Sequence, residues 1–252
     1  MRYLVSRILY LVFQCGDFMR IVGLQKMTLL DYPCRVAWTV FLCGCNFRCP
    51  FCHNGGLLDG AAPEVMSAEE LLAFLKSRTG LLDGVCITGG EPTLSPQLPR
   101  LLEEIKALGF AVKLDTNGSR PQVLKQLVEA GLVDYVAMDV KNSPRCYAAT
   151  TGLKEAPLEE LEESLRFLME ENVAYELRTT VVQELHDRHS ITEMGQWLSH
   201  LSGRQKIPKL FLPPFVQRDS VLNQNLTSPE TAEITSFVEI LSTFAEDVSI
   251  RG

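Results

Sequence analysis

The stretch GVCITGGEP, residues 84–92, contains the unit that decides the fold. A short apolar run with β-branched side chains is typical of a buried strand, and the glycine pair that follows it predicts a tight turn. A helical pattern comes next, at residues 96–108. The unit therefore consists of a strand, a glycine-containing loop and a helix.

The same unit recurs along the chain, so that predicted strands and helices alternate. The strands are predicted at residues 36–42, 84–88, 111–115, 135–140, 174–182 and 209–212. The helices are predicted at residues 68–78, 96–108, 121–130, 158–171, 191–201 and 229–244. Two helix starts have the capping-box pattern, Ser67 with Glu70 and Ser190 with Glu193. The alternation predicts an α/β fold with a parallel sheet, either doubly wound or a partial barrel.

Polar residues cluster where the predicted strands end. The cysteine-rich residues 43–52 follow the first strand, Asp115 ends the third, and Asp139 and Lys141 end the fourth. In both types of parallel sheet, functional side chains gather at the carboxyl ends of the strands. The sequence therefore predicts a functional site at that edge of the sheet.

The composition bounds the possible partners and the domain count. The chain has 252 residues, 46% of them hydrophobic, which suits a single α/β domain. Its net charge is −7 and no long run of Lys or Arg occurs, which argues against a nucleic-acid partner. The apolar stretch at residues 8–13 is too short to span a bilayer, so no membrane partner is expected. We expect residues 1–18 to be an N-terminal extension of unknown role and residues 19–252 to form the domain.

Cysteines supply the most informative motif. The chain has eight, bunched rather than spread as a disulfide framework, which predicts a reducing, cytoplasmic location. Cys45, Cys49 and Cys52 have the spacing C-x3-C-x2-C. Fe–S clusters normally take four cysteines, so three thiolates would leave one iron of a 4Fe–4S cluster with an open position. Structural zinc, with Cys43 or His53 as a further ligand, is the alternative, but zinc sites usually pair two separate knuckles and no second pair follows.

Five motifs, in this order, resemble the radical S-adenosylmethionine (SAM) superfamily, and specifically its glycyl-radical enzyme activating enzymes. They lie at residues 45–52, 88–92 (TGGEP), 114–118 (LDTNG), 138–141 (MDVK) and 177–181 (LRTTV). The opening GLQKMTLLDYP at residues 23–33 and the CHN at residues 52–54 are similar to the longer anaerobic ribonucleoside-triphosphate reductase activating proteins. Two departures occur: position 34, often glycine there, is Cys34, and residues 211–216 lack a histidine that some activases have.

The resemblance implies a partial (β/α)6 barrel of the radical SAM type, a single domain with one 4Fe–4S cluster. SAM would chelate the open iron, with Gly89 and Gly90 admitting its methionine end, Glu91 near its ammonium and Phe51 near its adenine. The other expected SAM-site residues are Asp115, Thr116, Asn117, Asp139, Lys141 and Arg178. The expected catalytic and metal-binding residues are Cys45, Cys49 and Cys52.

The resemblance also implies the reaction of an oxidoreductase. Flavodoxin or ferredoxin would donate an electron, SAM would be cleaved to methionine and a 5′-deoxyadenosyl radical, and a glycyl radical would form on a partner, expected to be anaerobic ribonucleoside-triphosphate reductase. Three alternatives stay open: a pyruvate formate-lyase-type activase, a small-molecule enzyme such as 7-carboxy-7-deazaguanine synthase, and a metal-binding redox sensor without enzyme activity. The glycine pair, Glu91 and Asp115 favour an enzyme, because a sensor needs no SAM pocket.

Overall fold

The computed structural model describes residues 19–58, 60–170 and 172–250, so the predicted N-terminal extension at residues 1–18 lies outside the described residues. The described chain is built around one eight-stranded sheet whose spatial order equals the chain order. The strands are β1 (Ile21–Thr28), β2 (Ala37–Leu42), β3 (Gly84–Gly89), β4 (Ala111–Thr116), β5 (Tyr135–Asp139), β6 (Ala174–Arg178), β7 (Ile207–Phe211) and β8 (Ala245–Ser249). Strands β2 to β8 run parallel, and β1 is antiparallel to β2.

In the described residues, seven α-helices connect or follow the strands. They are α1 (Ala68–Lys76), α2 (Leu98–Ala107), α3 (Pro121–Glu129), α4 (Pro144–Thr151), α5 (Leu158–Met169), α6 (Arg188–Leu201) and α7 (Thr231–Leu241). Short 3-10 helices occur at Gly55–Leu57 and Pro92–Leu94. None of the helices in the described ranges reaches the length and apolarity that a bilayer span requires.

The two faces of the sheet have different surroundings, which identifies the partial barrel rather than the doubly wound arrangement. Alternate strand residues such as Val40, Ile87 and Val136 belong to the large apolar core, which the helices cover. Their neighbours on the opposite face include Thr39, Lys113 and other buried polar side chains. We call the space on this second face the lumen. The helices form one layer, because α1 contacts α2, α5 contacts α3 and α6, and α6 contacts α7.

The predicted α/β fold is confirmed, with differences at the boundaries. All six predicted strands and all six predicted helices occur, but the sequence analysis missed β1, β8 and α4. The helix predicted at residues 96–108 begins at Leu98, because Pro92–Leu94 first forms a 3-10 turn. The strand predicted at residues 174–182 ends at Arg178.

One of the two predicted capping boxes is wrong. Ser67 and Glu70 cap α1 reciprocally, as expected. Helix α6 instead begins at Arg188 with Asp187 as its N-cap, whose carboxylate accepts from the Ser190 amide at 2.7 Å. Asp is as good an N-cap as Ser, and its use starts the helix earlier. Glu193 is then free to accept a hydrogen bond from Ser143 at 3.1 Å.

Candidate active site

A cavity of about 310 Å³ lies at the carboxyl edge of the sheet. The loops or ends of strands β2 to β7 all contribute to its wall, as the parallel topology requires. Its lining residues include all the predicted site residues except Glu91. Those residues are Cys45, Cys49, Phe51, Cys52, Gly89, Gly90, Asp115, Thr116, Asn117, Asp139, Lys141 and Arg178.

The loop that carries the three cysteines is anchored through its backbone on several sides. The Gly44 amide donates to the Leu57 carbonyl at 2.8 Å, and the Arg48 amide donates to the Thr151 carbonyl at the end of α4 at 2.9 Å. Asn46 is held between Asn117, which donates to it at 2.9 Å, and Ser119, to which it donates at 2.8 Å. These contacts fix the loop without using the cysteine side chains.

Cys45, Cys49 and Cys52 are free thiols that line the same cavity. Burial raises the pKa of Cys45 to about 12 and that of Cys49 to about 11, and it also raises the pKa of Cys52. Without a metal these thiols therefore stay protonated at neutral pH, and a bound metal must displace their protons. Three thiols are the donor set that a 4Fe–4S cluster with one open iron takes. In the described ranges no three His, Cys, Asp or Glu side chains, the three cysteines included, stand close enough together to share one metal ion.

Cys43 belongs to the same stretch but faces elsewhere. Its sulfur accepts a hydrogen bond from Arg20 at 3.3 Å and donates to the Leu57 carbonyl at 3.5 Å. Cys43 does not appear among the residues that line the cavity. Cys43 therefore lies apart from the three cysteines of the cavity.

Gly89 and Gly90 are required by the packing of the protein itself, and their predicted role in admitting SAM stays a prediction. A Cβ on Gly90 would lie 1.9 Å from the Gly44 carbonyl oxygen. A Cβ on Gly89, which has a φ of 122°, would lie 2.3 Å from the Leu42 carbonyl oxygen. The two glycines thus let this loop pack directly on the backbone that leads into the cysteines.

Glu91 is buried behind the cavity wall, with 1% of its surface exposed. Its carboxylate accepts hydrogen bonds from the Thr93 amide and hydroxyl, from the Thr116 hydroxyl at 2.8 Å and from the Asn117 amide at 2.6 Å. Burial raises the pKa of Glu91, although these hydrogen bonds act to lower it. In this structure Glu91 therefore fixes the end of β4 against the loop after β3; a direct contact with SAM stays a prediction.

An ion-pair network forms the opposite wall. Arg178 donates to Asp115 and to Asp139, each at 3.0 Å, and Lys141 donates to Asp139 at 2.8 Å. Burial disfavours the charged form of Asp139, but Arg178 and Lys141 outweigh it and lower the pKa of Asp139 to about 2. The same balance lowers the pKa of Asp115 through Arg178 and Lys113. Both carboxylates are therefore ionised at neutral pH.

The network continues below the cavity, into the lumen, through residues that the sequence analysis missed. Lys113 forms an ion pair with Asp115 and lies 3.8 Å from Glu176, which accepts a hydrogen bond from the Tyr135 hydroxyl at 3.0 Å. Lys113 and Glu176 are 1% and 0% exposed. Tyr32 packs with Tyr135 in a small cluster at the amino end of the lumen. The sequence did contain a signal for these residues, because charged residues occupy alternate positions of β4 and β6, which are otherwise apolar.

Further lining residues were also missed. They are Phe47, His53, Asn54, Leu58, Thr88, Thr180 and Pro213. Five of the seven lie inside the motifs at residues 45–54, 88–92 and 177–181, so membership of a motif was the signal. His53 stacks on Phe215 with ring centroids 5.5 Å apart and forms a 2.7 Å hydrogen bond with the Val216 carbonyl. His53, which follows the cysteine motif, thus contacts residues 211–216, the stretch in which some activases have a histidine.

Comparisons with known proteins show which family this chain resembles. A profile of the Radical SAM superfamily matches residues 39–191. A protein of Methanocaldococcus jannaschii named as a glycyl-radical enzyme activating enzyme is 33% identical over 181 residues, 69% of this chain and 73% of the relative. The 7-carboxy-7-deazaguanine synthase of Thermococcus kodakarensis is 30% identical over 178 residues, 63% of this chain and 66% of that enzyme.

A solved structure supports the fold. Streptococcus suis SuiB, crystallised with S-adenosylmethionine, has a TM-score of 0.63 to this chain at 13% identity. The match covers 82% of this chain but only 48% of SuiB, so the chain spans about half the length of that protein. With a superfamily profile over most of the chain and a relative at 33% identity, the chain belongs to the radical SAM superfamily.

Proposed function

We propose that this enzyme generates a glycyl radical on a partner protein. The cofactors of its superfamily are a 4Fe–4S cluster and SAM. When bound, they supply a 5′-deoxyadenosyl radical that abstracts hydrogen.

Cys45, Cys49 and Cys52 are the proposed cluster ligands. They are the free thiols of the cavity, and their loop is held in place by backbone contacts that cluster binding need not disturb. Since the chain offers three thiols here, the fourth corner of the cluster is available to SAM.

The remaining proposed residues surround SAM. Asp139, ionised because Arg178 and Lys141 lower its pKa to about 2, offers a fixed negative charge to a cationic cosubstrate. Arg178 and Lys141 offer cationic donors that are already oriented by their ion pairs with Asp139. Phe51 lines the same cavity, with its ring centroid 5.8 Å from the Lys141 nitrogen, and is the proposed contact of the adenine.

The small size of the cavity favours a protein substrate over a small molecule. A volume of about 310 Å³ is at the lower end of the roughly 300–1,000 Å³ typical of small-ligand pockets. Beneath it the lumen is filled by Lys113, Tyr135 and Glu176. Because the same cavity must take SAM, little interior volume is left for a second small molecule. A glycine on a loop of a partner protein can approach the cavity from outside, so it does not need this interior volume.

The proposed partner is anaerobic ribonucleoside-triphosphate reductase, with flavodoxin or ferredoxin as electron donor. This choice rests on the sequence resemblance at residues 23–33 and 52–54. A pyruvate formate-lyase-type activase is the alternative within the same chemistry. The identity to a 7-carboxy-7-deazaguanine synthase supports a second candidate function, modification of a small molecule.

Anaerobic reconstitution with iron, sulfide, dithionite and SAM tests the cluster assignment. Cys45→Ala, Cys49→Ala and Cys52→Ala are each expected to abolish formation of 5′-deoxyadenosine. Cys43→Ala is the matched control and is expected to stay active, because its sulfur contacts Arg20 and Leu57. Full SAM cleavage by any of the first three variants would contradict the assignment.

Electron spin resonance after addition of the reductase tests the substrate class. A glycyl-radical doublet supports the proposal. A doublet only on pyruvate formate-lyase would reassign the partner, and consumption of a deazaguanine precursor without any doublet would favour the small-molecule alternative.

A further inference from the structure

A second groove, of about 800 Å³, runs beside the active-site cavity. One side of it consists of consecutive residues of β1, from Val22 to Lys26. The other side includes Asn54, Gly56 and Ser220. We call this the β1 groove. A wall made of five successive residues of one strand presents backbone as well as side chains.

Strand β1 is the end strand of the sheet, paired on one side with β2. At its start the other side is covered, because the Ile21 carbonyl accepts from the Val65 amide at 2.8 Å. Beyond that point β1 becomes increasingly accessible, and Gln25, Lys26 and Met27 are exposed. An edge strand that is neither covered nor shortened is a template for pairing with another extended chain.

The β1 groove and the active-site cavity share a wall. His53 and Asn54 line both. Asn54 also donates to the Gly89 carbonyl at 3.1 Å, which ties this wall to the proposed SAM site. A chain lying along β1 therefore passes directly beside the mouth of the cavity.

The surroundings of the groove fit an uncharged polypeptide. Lys26 is the only Asp, Glu, Lys or Arg among the residues described as lining it. Two large apolar side chains nearby are half exposed: Val216 at 49%, whose carbonyl binds His53, and Leu222 at 50%, which lies against Gly55. Exposed apolar side chains beside a cavity mouth are typical of surfaces that contact a macromolecule.

We infer that an extended, uncharged segment of the protein substrate, next to its target glycine, docks on β1 as an added strand. The inference rests on the proposed function, since it names how the partner reaches the same site. Backbone hydrogen bonds to β1 would supply affinity, and the apolar rim at Val216 and Leu222 would select the neighbouring side chains. The docked strand would thus present the glycine to the cavity past His53 and Asn54.

A proline substitution tests this directly, because proline lacks the amide that strand addition uses. Lys26→Pro is suitable because the β1–β2 ladder is irregular between Gln25 and Thr28, so Lys26 is outside the paired register. The matched control is Asp247→Pro, at an exposed position of β8, the strand at the opposite end of the sheet. The parallel register of Ile207 with Ala245 directs the Glu246 amide to β7, so the amide of the next residue, Asp247, faces the free edge. The probe is recombinant anaerobic ribonucleoside-triphosphate reductase, and the rate of glycyl-radical formation is followed by electron spin resonance.

Lys26→Pro is expected to raise the KM for the reductase about tenfold with kcat unchanged, which corresponds to the loss of one or two net hydrogen bonds. Asp247→Pro is expected to leave KM unchanged. A second measurement needs no substitution: hydrogen exchange at the amides of residues 23–27 of the wild-type protein should slow when the reductase is added.

The possible failures are distinguishable. If the wild-type protein forms no glycyl radical, the proposed function fails and the docking inference fails with it. If the radical forms but the two proline variants have equal KM values and residues 23–27 gain no protection, only the docking inference is overturned. A wild-type dimer that Lys26→Pro converts to a monomer would also overturn it, because the edge would then pair with a second copy of this chain.

Discussion

Replacing Gly90 by alanine tests how closely two loops must pack for the site to form. The new Cβ would lie 1.9 Å from the Gly44 oxygen and 2.5 Å from the Gly44 carbon. Ordinary contact begins at 3.4 Å, so the loops must separate by about 1.5 Å. Gly44 directly precedes Cys45, so the shift displaces a proposed cluster ligand. Since a misplacement of about 1 Å can cost a factor of about 100 in rate, we expect SAM cleavage to fall about 100-fold.

The assay is formation of 5′-deoxyadenosine by anaerobically reconstituted protein, together with iron content and thermal unfolding. We expect Gly90→Ala to lose about 1–3 kcal/mol of stability, as overpacked sites do. The control is Gly109→Ala, where φ is 89° but no atom lies within 4 Å of the added Cβ. It should lose about 1 kcal/mol through backbone strain and keep its activity.

The comparison separates general destabilisation from displacement of the cysteine loop. Gly90 does not have a positive φ, so its substitution tests the steric contact alone. Wild-type SAM cleavage by Gly90→Ala would refute the reasoning. Equal loss of activity in both variants would refute it as well, because Gly109 contacts neither loop.

Two further predictions concern stability. Cys34 is exposed and has a φ of 59°, a backbone conformation that is strained for any residue with a Cβ. Cys34→Gly should therefore stabilise the protein by about 1 kcal/mol and raise Tm by about 2–4 °C. An unchanged Tm, or an equal rise in Tm for Cys34→Ala, would contradict this. Asp139, with its pKa lowered from 3.8 to about 2, stabilises the fold fully above about pH 4, and this contribution is lost as the pH falls toward 2. Urea unfolding of the metal-free protein between about pH 4 and pH 2 should therefore show that the free energy of unfolding falls by about 2 kcal/mol more for wild type than for Asp139→Asn. Equal pH dependence of the free energy of unfolding in the two proteins would disprove this.

Sequence patterns predicted the parallel core of the fold because its strands are mostly apolar and alternate regularly with helices. They missed β1 and β8 because end strands are partly exposed: Lys26 in β1 and Glu246 in β8 interrupt any apolar pattern. Helix α4 was missed because it has only 8 residues. Its role is tertiary, since its last carbonyl, that of Thr151, holds the cysteine loop through Arg48.

The residues of the site were predictable from their motifs, but their contacts were not. Glu91 stands beside the glycine pair in the sequence, yet its carboxylate turns inward to Thr93, Thr116 and Asn117. The orientation of a side chain depends on partners that are distant in the chain. Cys34 shows the reverse case, because a position where related activases often have glycine is explained only by its backbone angle.

The filled lumen determines by which side molecules can enter and leave the active site. With Lys113 and Glu176 buried below the cavity and Tyr32 buried at the far end, the site opens only on the side where the strands finish, as far as the described residues extend. If the proposed function holds, SAM and the partner protein share this one entrance, and a bound partner covers it. We therefore expect a compulsory order in which SAM enters first, and a turnover rate that is limited by how fast the activated partner departs.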